Sequence, residues 1–146
     1  MHQIFVVLHS LNRFDILILL LIVIFRSLKG WASKSPFEKA DDKWSFFLFI
    51  ATHIQLVLGL VLYFISPVVV FSNASMKDPV ARYWLVEHIT GMLIAVVLIS
   101  LGRILTKKVS DSTAKYKRLF IYNAVALVVI LAIIAQNHRG LFSISW

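Results

Sequence analysis

Four long apolar runs constrain this chain more than any other feature of its sequence. They cover residues 4–28, 44–66, 83–105 and 119–135. Crossing about 30 Å of hydrocarbon takes roughly 20 helical residues at about 1.5 Å each, so every run can span a bilayer. Short links join the runs, and short links favour antiparallel neighbours. The sequence therefore predicts an all-α integral membrane protein, an up-down-up-down four-helix bundle that forms one domain over residues 1–146.

The basic residues predict the orientation of this bundle. Loop 26–43 carries five Lys or Arg and loop 103–118 carries six, whereas the opposite side has only Lys77, Arg82 and Arg139 near its surface. The positive-inside rule places both basic loops in the cytoplasm and both termini outside, in an inner (cytoplasmic) membrane. The net charge of +8 lacks the continuous basic face that nucleic acid needs. We expect the lipid bilayer, and no nucleic acid, as a partner.

Histidine is the most informative polar residue within the runs. The chain has no cysteine, which excludes disulfides, iron–sulfur clusters and covalent c-type haem, and leaves histidine as the leading metal ligand. Placing a charged side chain at the middle of a membrane helix costs roughly 2.5–3.5 kcal/mol of insertion free energy. Each charged or strongly polar residue in the runs therefore indicates an interaction that offsets this cost. A histidine stands in or beside every run, namely His9, His53, His88 and His138.

His9 and His88 are the best candidates for a ligand pair. Counted from the basic loops, both lie towards the outer ends of their runs, at similar depth. The first and third helices of an up-down bundle can be diagonal, with room for a porphyrin between two imidazoles. We predict one haem b on these two residues, with His53 as the substitute for His9. His138 is mismatched in depth with His53 by roughly 10 Å, so no second haem is expected. The alternative for each imidazole is an interhelical hydrogen bond.

Three charged residues extend this prediction. Arg13 follows His9 by four positions and so shares its helix face, where it can bind a haem propionate. The alternative is a buried ion pair of Arg13 with Asp15 or Glu87. We expect both Arg13 and Asp15 to face protein or cofactor, because lipid exposure would be costly. Glu87 is a candidate partner for an imidazole of another helix.

The neighbours of His88 carry two further expectations. Gly91 and Ala95 share its helix face and predict a shallow strip on which a flat macrocycle can lie. The alternative is that these small residues let helices pack closely. Tyr83 and Trp84, at the start of the third run, are typical of an interfacial aromatic belt.

Three segments around the first intramembrane histidines carry a family resemblance: HSLNRF at 9–14, THIQLVLG at 52–59 and EHITGM at 87–92. With them the chain resembles, over nearly its whole length, small four-helix membrane proteins of Bacteroidetes-type bacteria labelled cytochrome b. The resemblance implies haem binding, with His9, His53 and His88 at the matching positions. A looser similarity is to one four-helix half of heme A synthase, from which this chain departs in having half the length and no second bundle.

Three functions follow from these features. The first is a b-type cytochrome that carries electrons as a small subunit or partner of a respiratory assembly. The second is a structural or assembly subunit without a cofactor, and the third is a haem- or copper-handling maturation protein that uses His9 and His88. A hydrolytic enzyme is not expected, because no nucleophile–base set, phosphate loop or carboxylate pair can be assembled. No quinone site is readable.

Overall fold

The computed structural model describes residues 2–67, 69 and 71–136. Within that part of the chain there is no β-strand, and all four long helices are apolar and long enough to cross a membrane. This confirms the predicted all-α four-helix architecture. The helices are α1 (His2–Ser33), α2 (Lys39–Ile65), α3 (Pro79–Lys107) and α4 (Ser112–Ala135).

The helices extend beyond the apolar runs at the end where the basic loops lie. α2 starts five residues before the predicted position because Glu38 and Asp41 form a reciprocal capping box. α4 starts at Ser112, seven residues early, and the Asp111 carboxylate accepts a hydrogen bond from the amide of Ala114 at 3.0 Å. Helix ends are therefore set by capping residues, whereas the apolar runs mark only the part that spans hydrocarbon.

α3 is a composite helix. Asp78 caps it and Pro79 is its first residue, a position where the missing amide hydrogen costs nothing. An α-helical turn, Pro79–Arg82, leads into a five-residue π-helical segment, Tyr83–Glu87. Regular α-helix resumes over His88–Lys107. A short 3₁₀ turn precedes α3 in the loop.

The four helices form a ring in chain order. α1 packs against α2 and α4, and α3 packs closely against α4 but more loosely against α2. α1 and α3 are therefore diagonal, as predicted. Apolar side chains from all four helices fill the centre, among them Leu20, Leu48, Ile99 and Ala126. The outward surface is also apolar, as the exposure of Phe25 shows, and this is the surface that a multi-pass membrane protein presents to lipid.

The two basic loops meet at one end of the bundle, which we call the basic end. The amide of Phe37 donates to the Ser112 hydroxyl at 2.9 Å, which joins the two loops. Below this contact lie three groups that we call the Asp41 cluster. The buried Asp41 carboxylate pairs with Arg26 at 3.0 Å and accepts a hydrogen bond from the Tyr116 hydroxyl at 2.7 Å. The buried carboxylate at this end is thus satisfied within the chain.

Candidate functional site

The π-helical segment fixes the environment of His88. A π-turn is wider than an α-turn, so residues five apart come to lie over one another. The Tyr83 hydroxyl donates to the carbonyl of Ile133 on α4 at 2.9 Å and lies 3.3 Å from Nδ1 of His88. With its proton directed to the carbonyl, the hydroxyl accepts from Nδ1–H, and Nε2 of the neutral ring then carries the lone pair that binds metals.

Other side chains hold this segment in place. The Tyr63 hydroxyl of α2 donates to the carbonyl of Leu85, inside the wide turn, at 2.7 Å. The ring of Trp84 lies 5.1 Å from the ring of His88. Tyr83 and Trp84 are 4% and 3% exposed, so the prediction that they form an interfacial belt is wrong. They are the walls of the His88 site.

His9 reaches the same region from the diagonal helix. Its side chain is buried against Gly59 of α2. A side-chain carbon placed on Gly59 would lie only 3.3 Å from Nε2 of His9, closer than most such contacts in proteins. The missing side chain at Gly59 therefore makes the space in which the imidazole sits.

The structure brings the two predicted ligands together. The ring centres of His9 and His88 are 6.4 Å apart, and the ring planes are inclined by 55°. A metal–imidazole bond of about 2.0 Å, plus about 1.2 Å from the nitrogen to its ring centre, puts two rings on opposite sides of one metal ion about 6.4 Å apart. The observed distance between ring centres matches that arrangement.

Both imidazoles line an apolar groove. It holds a cavity of about 100 Å³, is open on one side, and draws its walls from all four helices. Leu60 of α2 and Leu93 of α3 line it and are also exposed, so the groove opens between these two loosely packed helices. A few polar or amphipathic side chains converge on otherwise aliphatic walls, as in cofactor sites generally. They are His9, Arg13, Thr52, Gln55, Tyr83, Trp84 and His88.

Arg13 also lines the groove. It lies one turn below His9, as its spacing predicts, and its guanidinium carbon is 5.0 Å from the ring centre of Phe14. Glu87 of α3 was the alternative partner predicted for Arg13, but it pairs instead with Arg82 at 2.8 Å. The Arg82–Glu87 pair is again five residues apart, which reflects the π-turn. Glu87 is therefore a partner of Arg82 on its own helix.

Two amides fix α1 against α2 beside His9. The Asn12 amide nitrogen donates to the Gln55 side-chain oxygen at 3.0 Å and to the carbonyl of Ala51 at 3.0 Å. The Gln55 amide nitrogen in turn donates to the backbone carbonyl of His9 at 2.9 Å. The only sequence signal for these two residues is that each is a polar residue within an apolar run. Because both amides bond across the helices, they set the height at which His9 faces the groove.

His53 does not line the groove. It follows Thr52, which does, and the next residue along an α-helix is turned by about 100°. Its Nδ1 lies 2.8 Å from the carbonyl of Phe49, one turn earlier, and its ring lies against the Phe49 ring at 4.2 Å between centres. Since a carbonyl only accepts, Nδ1 is the donor. The structure thus separates His53 from the pair formed by His9 and His88.

Two expectations around the site are wrong. Asp15 is exposed on the outward surface of α1, so it faces neither protein nor groove within this chain. Gly91 faces α4, where an added side-chain carbon would overlap Ile133. It provides close packing between α3 and α4, the alternative weighed for it, whereas Ala95 does line the groove. The small residue that faces an imidazole is Gly59.

His138 lies outside the residues that the structure describes. Within residues 2–67, 69 and 71–136, no three His, Cys, Asp or Glu side chains come together as a metal-binding group. The His9–His88 site therefore offers two protein donors. In comparisons with known proteins, no family model, curated protein or solved structure matches the chain.

Proposed function

We propose that this chain binds one haem b in the groove, where His9 and His88 would hold its iron, and carries electrons as a b-type-cytochrome-like membrane protein. One observation carries the proposal: the imidazoles of His9, which is buried, and His88, which is half-buried, lie on diagonal helices with ring centres 6.4 Å apart. Two neutral rings at this separation, both lining an apolar groove, suit a ligand bound by both of them.

The number of donors favours haem over a simple metal ion. Structural zinc sites use four protein ligands and catalytic zinc sites use three. Two imidazoles are the complete protein contribution to a six-coordinate haem, because the porphyrin supplies the other four nitrogens. The aliphatic walls of the groove suit the faces and edges of such a macrocycle.

The surrounding residues have distinct roles in this proposal. Tyr83 holds Nδ1 of His88 and so directs Nε2 towards the ligand. Gly59 leaves room for the His9 ring, and Arg13 supplies a positive charge for a propionate. Bound haem would supply one-electron redox chemistry. With protein donors on both faces there is no open coordination position, which favours electron transfer over catalysis.

The test is a reduced-minus-oxidised spectrum of the full chain purified from cells supplied with haem. We expect a low-spin spectrum and one iron per chain. His9→Ala and His88→Ala should each abolish haem retention or convert the iron to a high-spin form. His53→Ala is the matched control and should leave the spectrum unchanged. An unaltered low-spin spectrum in His88→Ala would refute the ligand assignment.

Two other results would redirect the proposal. Copper in place of iron in elemental analysis would favour the copper-handling function, because imidazole suits both metals. Absence of any Soret band despite ample haem would favour a structural subunit in which the same histidines hold helices together. The partner that we propose for electron transfer is a respiratory complex.

We further propose that the membrane is the bacterial inner membrane, with the basic end in the cytoplasm and both termini outside. The bias of Lys and Arg between the two ends supports this orientation. The chain has no cysteine, so single substitutions can be labelled without background. Lys34→Cys and Lys108→Cys should be protected from an impermeant thiol reagent, and Lys77→Cys should react. The reverse pattern would overturn the orientation.

A further inference from the structure

Asp15 is the charged residue of α1 that the bundle leaves unexplained. Its side chain is exposed on the outward surface of the helix. Within residues 2–67, 69 and 71–136 it makes no salt bridge, and no hydrogen bond to its carboxylate is found. Ionisable residues in membrane helices almost always face a protein or water-filled interior and pair there. An exposed carboxylate on this surface therefore indicates a group outside the chain.

The depth of Asp15 excludes the membrane surface as its partner. It lies 11 residues from Arg26 at the basic end of α1 and 13 residues from His2, where α1 begins. At about 1.5 Å per residue these distances are roughly 16 and 20 Å, in a hydrocarbon layer about 30 Å thick. Asp15 is thus near the middle of the bilayer. Its short side chain cannot extend to a headgroup as Lys or Arg can.

The residues around Asp15 form a surface suited to a helix. Among the exposed positions of α1, the row that contains Asp15 recurs at alternating intervals of three and four, interrupted only at the half-buried position 22, and we call this row the α1 stripe. This is the spacing with which helices interlock side chains along a seam, and a single polar residue in such a seam fixes register. Its members are Ile4, Leu8, Leu11, Asp15, Ile18 and Phe25.

We infer that the α1 stripe binds a transmembrane helix of a different protein, which presents a Lys, Arg or His side chain to Asp15 at the middle of the bilayer. A second copy of this chain fits poorly. Two copies share one orientation, so a two-fold contact along the stripe would place Asp15 against Asp15, where both carboxylates cannot stay ionised, whereas a basic side chain pairs with the ionised form. The inference does not depend on haem binding.

Site-specific photo-crosslinking in cells of the native host tests this. A benzophenone side chain replaces Leu11 in the full chain, and the same group at the exposed Val57 of α2 is the control position. We expect one adduct from position 11 and none of that adduct from position 57. Mass spectrometry should place the crosslinked peptide in an apolar span with one basic residue near its centre.

Three variants then test the charge. Asp15→Asn should lower the adduct yield about tenfold, because a polar contact between membrane helices contributes roughly 1–2 kcal/mol. Asp15→Glu should retain it. Replacing the partner's basic residue by Gln, with this chain unchanged, should cause the same loss and so separates pairing from misfolding. The inference is overturned by an adduct with a second copy, by no protein adduct, by a partner span without a basic residue, or by a yield indifferent to Asp15→Asn.

Discussion

Two polar regions of the bundle differ in how their side chains are arranged. One is the Asp41 cluster at the basic end, and the other is the His9–His88 groove near the opposite end. In the cluster, the carboxylate is neutralised by Arg26 and bonded by Tyr116. In the groove, the ring centres of two imidazoles lie 6.4 Å apart beside open space. The first arrangement is complete within the chain, so it serves the fold. The second borders open space, as the proposed haem site requires.

The glycines show the same difference. A side-chain carbon on Gly30 would overlap the ring of Tyr116, so the space there is already filled by the chain. At Gly59 the nearest atom would be an imidazole nitrogen at 3.3 Å. A side chain at Gly30 would thus meet an immobile part of the fold, whereas one at Gly59 would meet the imidazole that we propose binds haem, so we expect stability and haem binding to respond separately to substitution.

The largest effect on stability is expected from Asp41→Asn. It removes the charge that Arg26 pairs with and leaves a buried site with a mismatched partner, at a cost of about 2 kcal/mol or more. Unfolding in a denaturing detergent series measures it. The control is Asp42→Asn, since Asp42 pairs with Arg103 at 3.3 Å but is half exposed and should cost at most about 1 kcal/mol. Equal losses in both variants would remove the distinction drawn for the cluster.

Gly59→Leu should abolish haem retention, whereas the free energy of unfolding of the apoprotein should stay within about 1.5 kcal/mol of the parent value. The added side chain occupies the space of the His9 ring but borders an open groove, so overpacking can be relieved. The Soret absorbance and the unfolding midpoint are measured on the same preparation. Val57→Leu, on the exposed face of α2, should change neither quantity. Normal haem content in Gly59→Leu would show that the ligand does not need the His9 position.

Tyr83→Phe should weaken haem affinity about tenfold, because the hydroxyl that holds Nδ1 of His88 is lost. Haem transfer to an acceptor protein reports the affinity. Tyr63→Phe is a close control, since it removes a hydroxyl that bonds Leu85 in the same π-helical segment without touching a histidine. It should cost about 1 kcal/mol of stability and leave haem affinity unchanged. The same affinity loss in both would assign the effect to the segment as a whole.

Lys34→Gly should have the smallest effect, a stabilisation of about 0.5–1 kcal/mol. Lys34 has a φ of 53°, and the Ser35 amide donates to the Gly30 carbonyl at 3.1 Å, as at a helix end that favours glycine. Unfolding measures the gain, and haem content should not move. Lys29→Gly, inside α1, should instead destabilise by about 1 kcal/mol. A loss in Lys34→Gly would show that the lysine side chain contributes at the loop.

The sequence was sufficient for the four helices, because spanning hydrocarbon demands long apolar runs that are visible by eye. It also predicted that His9 and His88 share a depth, because helical rise converts residue number into height. It was insufficient for the helix starts at Lys39 and Ser112, which depend on capping side chains in polar segments. Neither hydropathy nor charge distinguishes those segments from loops.

The faces of α3 could not be predicted because its period changes. An α-helical count places Tyr83 and His88 on different faces, whereas the π-turn brings them together. The same change pairs Arg82 with Glu87. The prediction that Asp15 faces the interior of this bundle was wrong for another reason. The cost of exposing a charge to lipid indicates that Asp15 has a partner, but it does not indicate that the partner belongs to the same chain.

The π-helical segment also bears on how such a site can arise. A π-turn is an α-helix that has gained one residue, so deletion of a single residue between Tyr83 and His88 would restore the regular period and turn the two sides of the deletion relative to each other by about 100°. His88 would then lose either Tyr83 or its alignment with His9. Insertion or loss of one codon would therefore create or remove the contact between Tyr83 and His88 without changing the histidine itself. Among related sequences, such a change would show as a one-residue gap in the alignment.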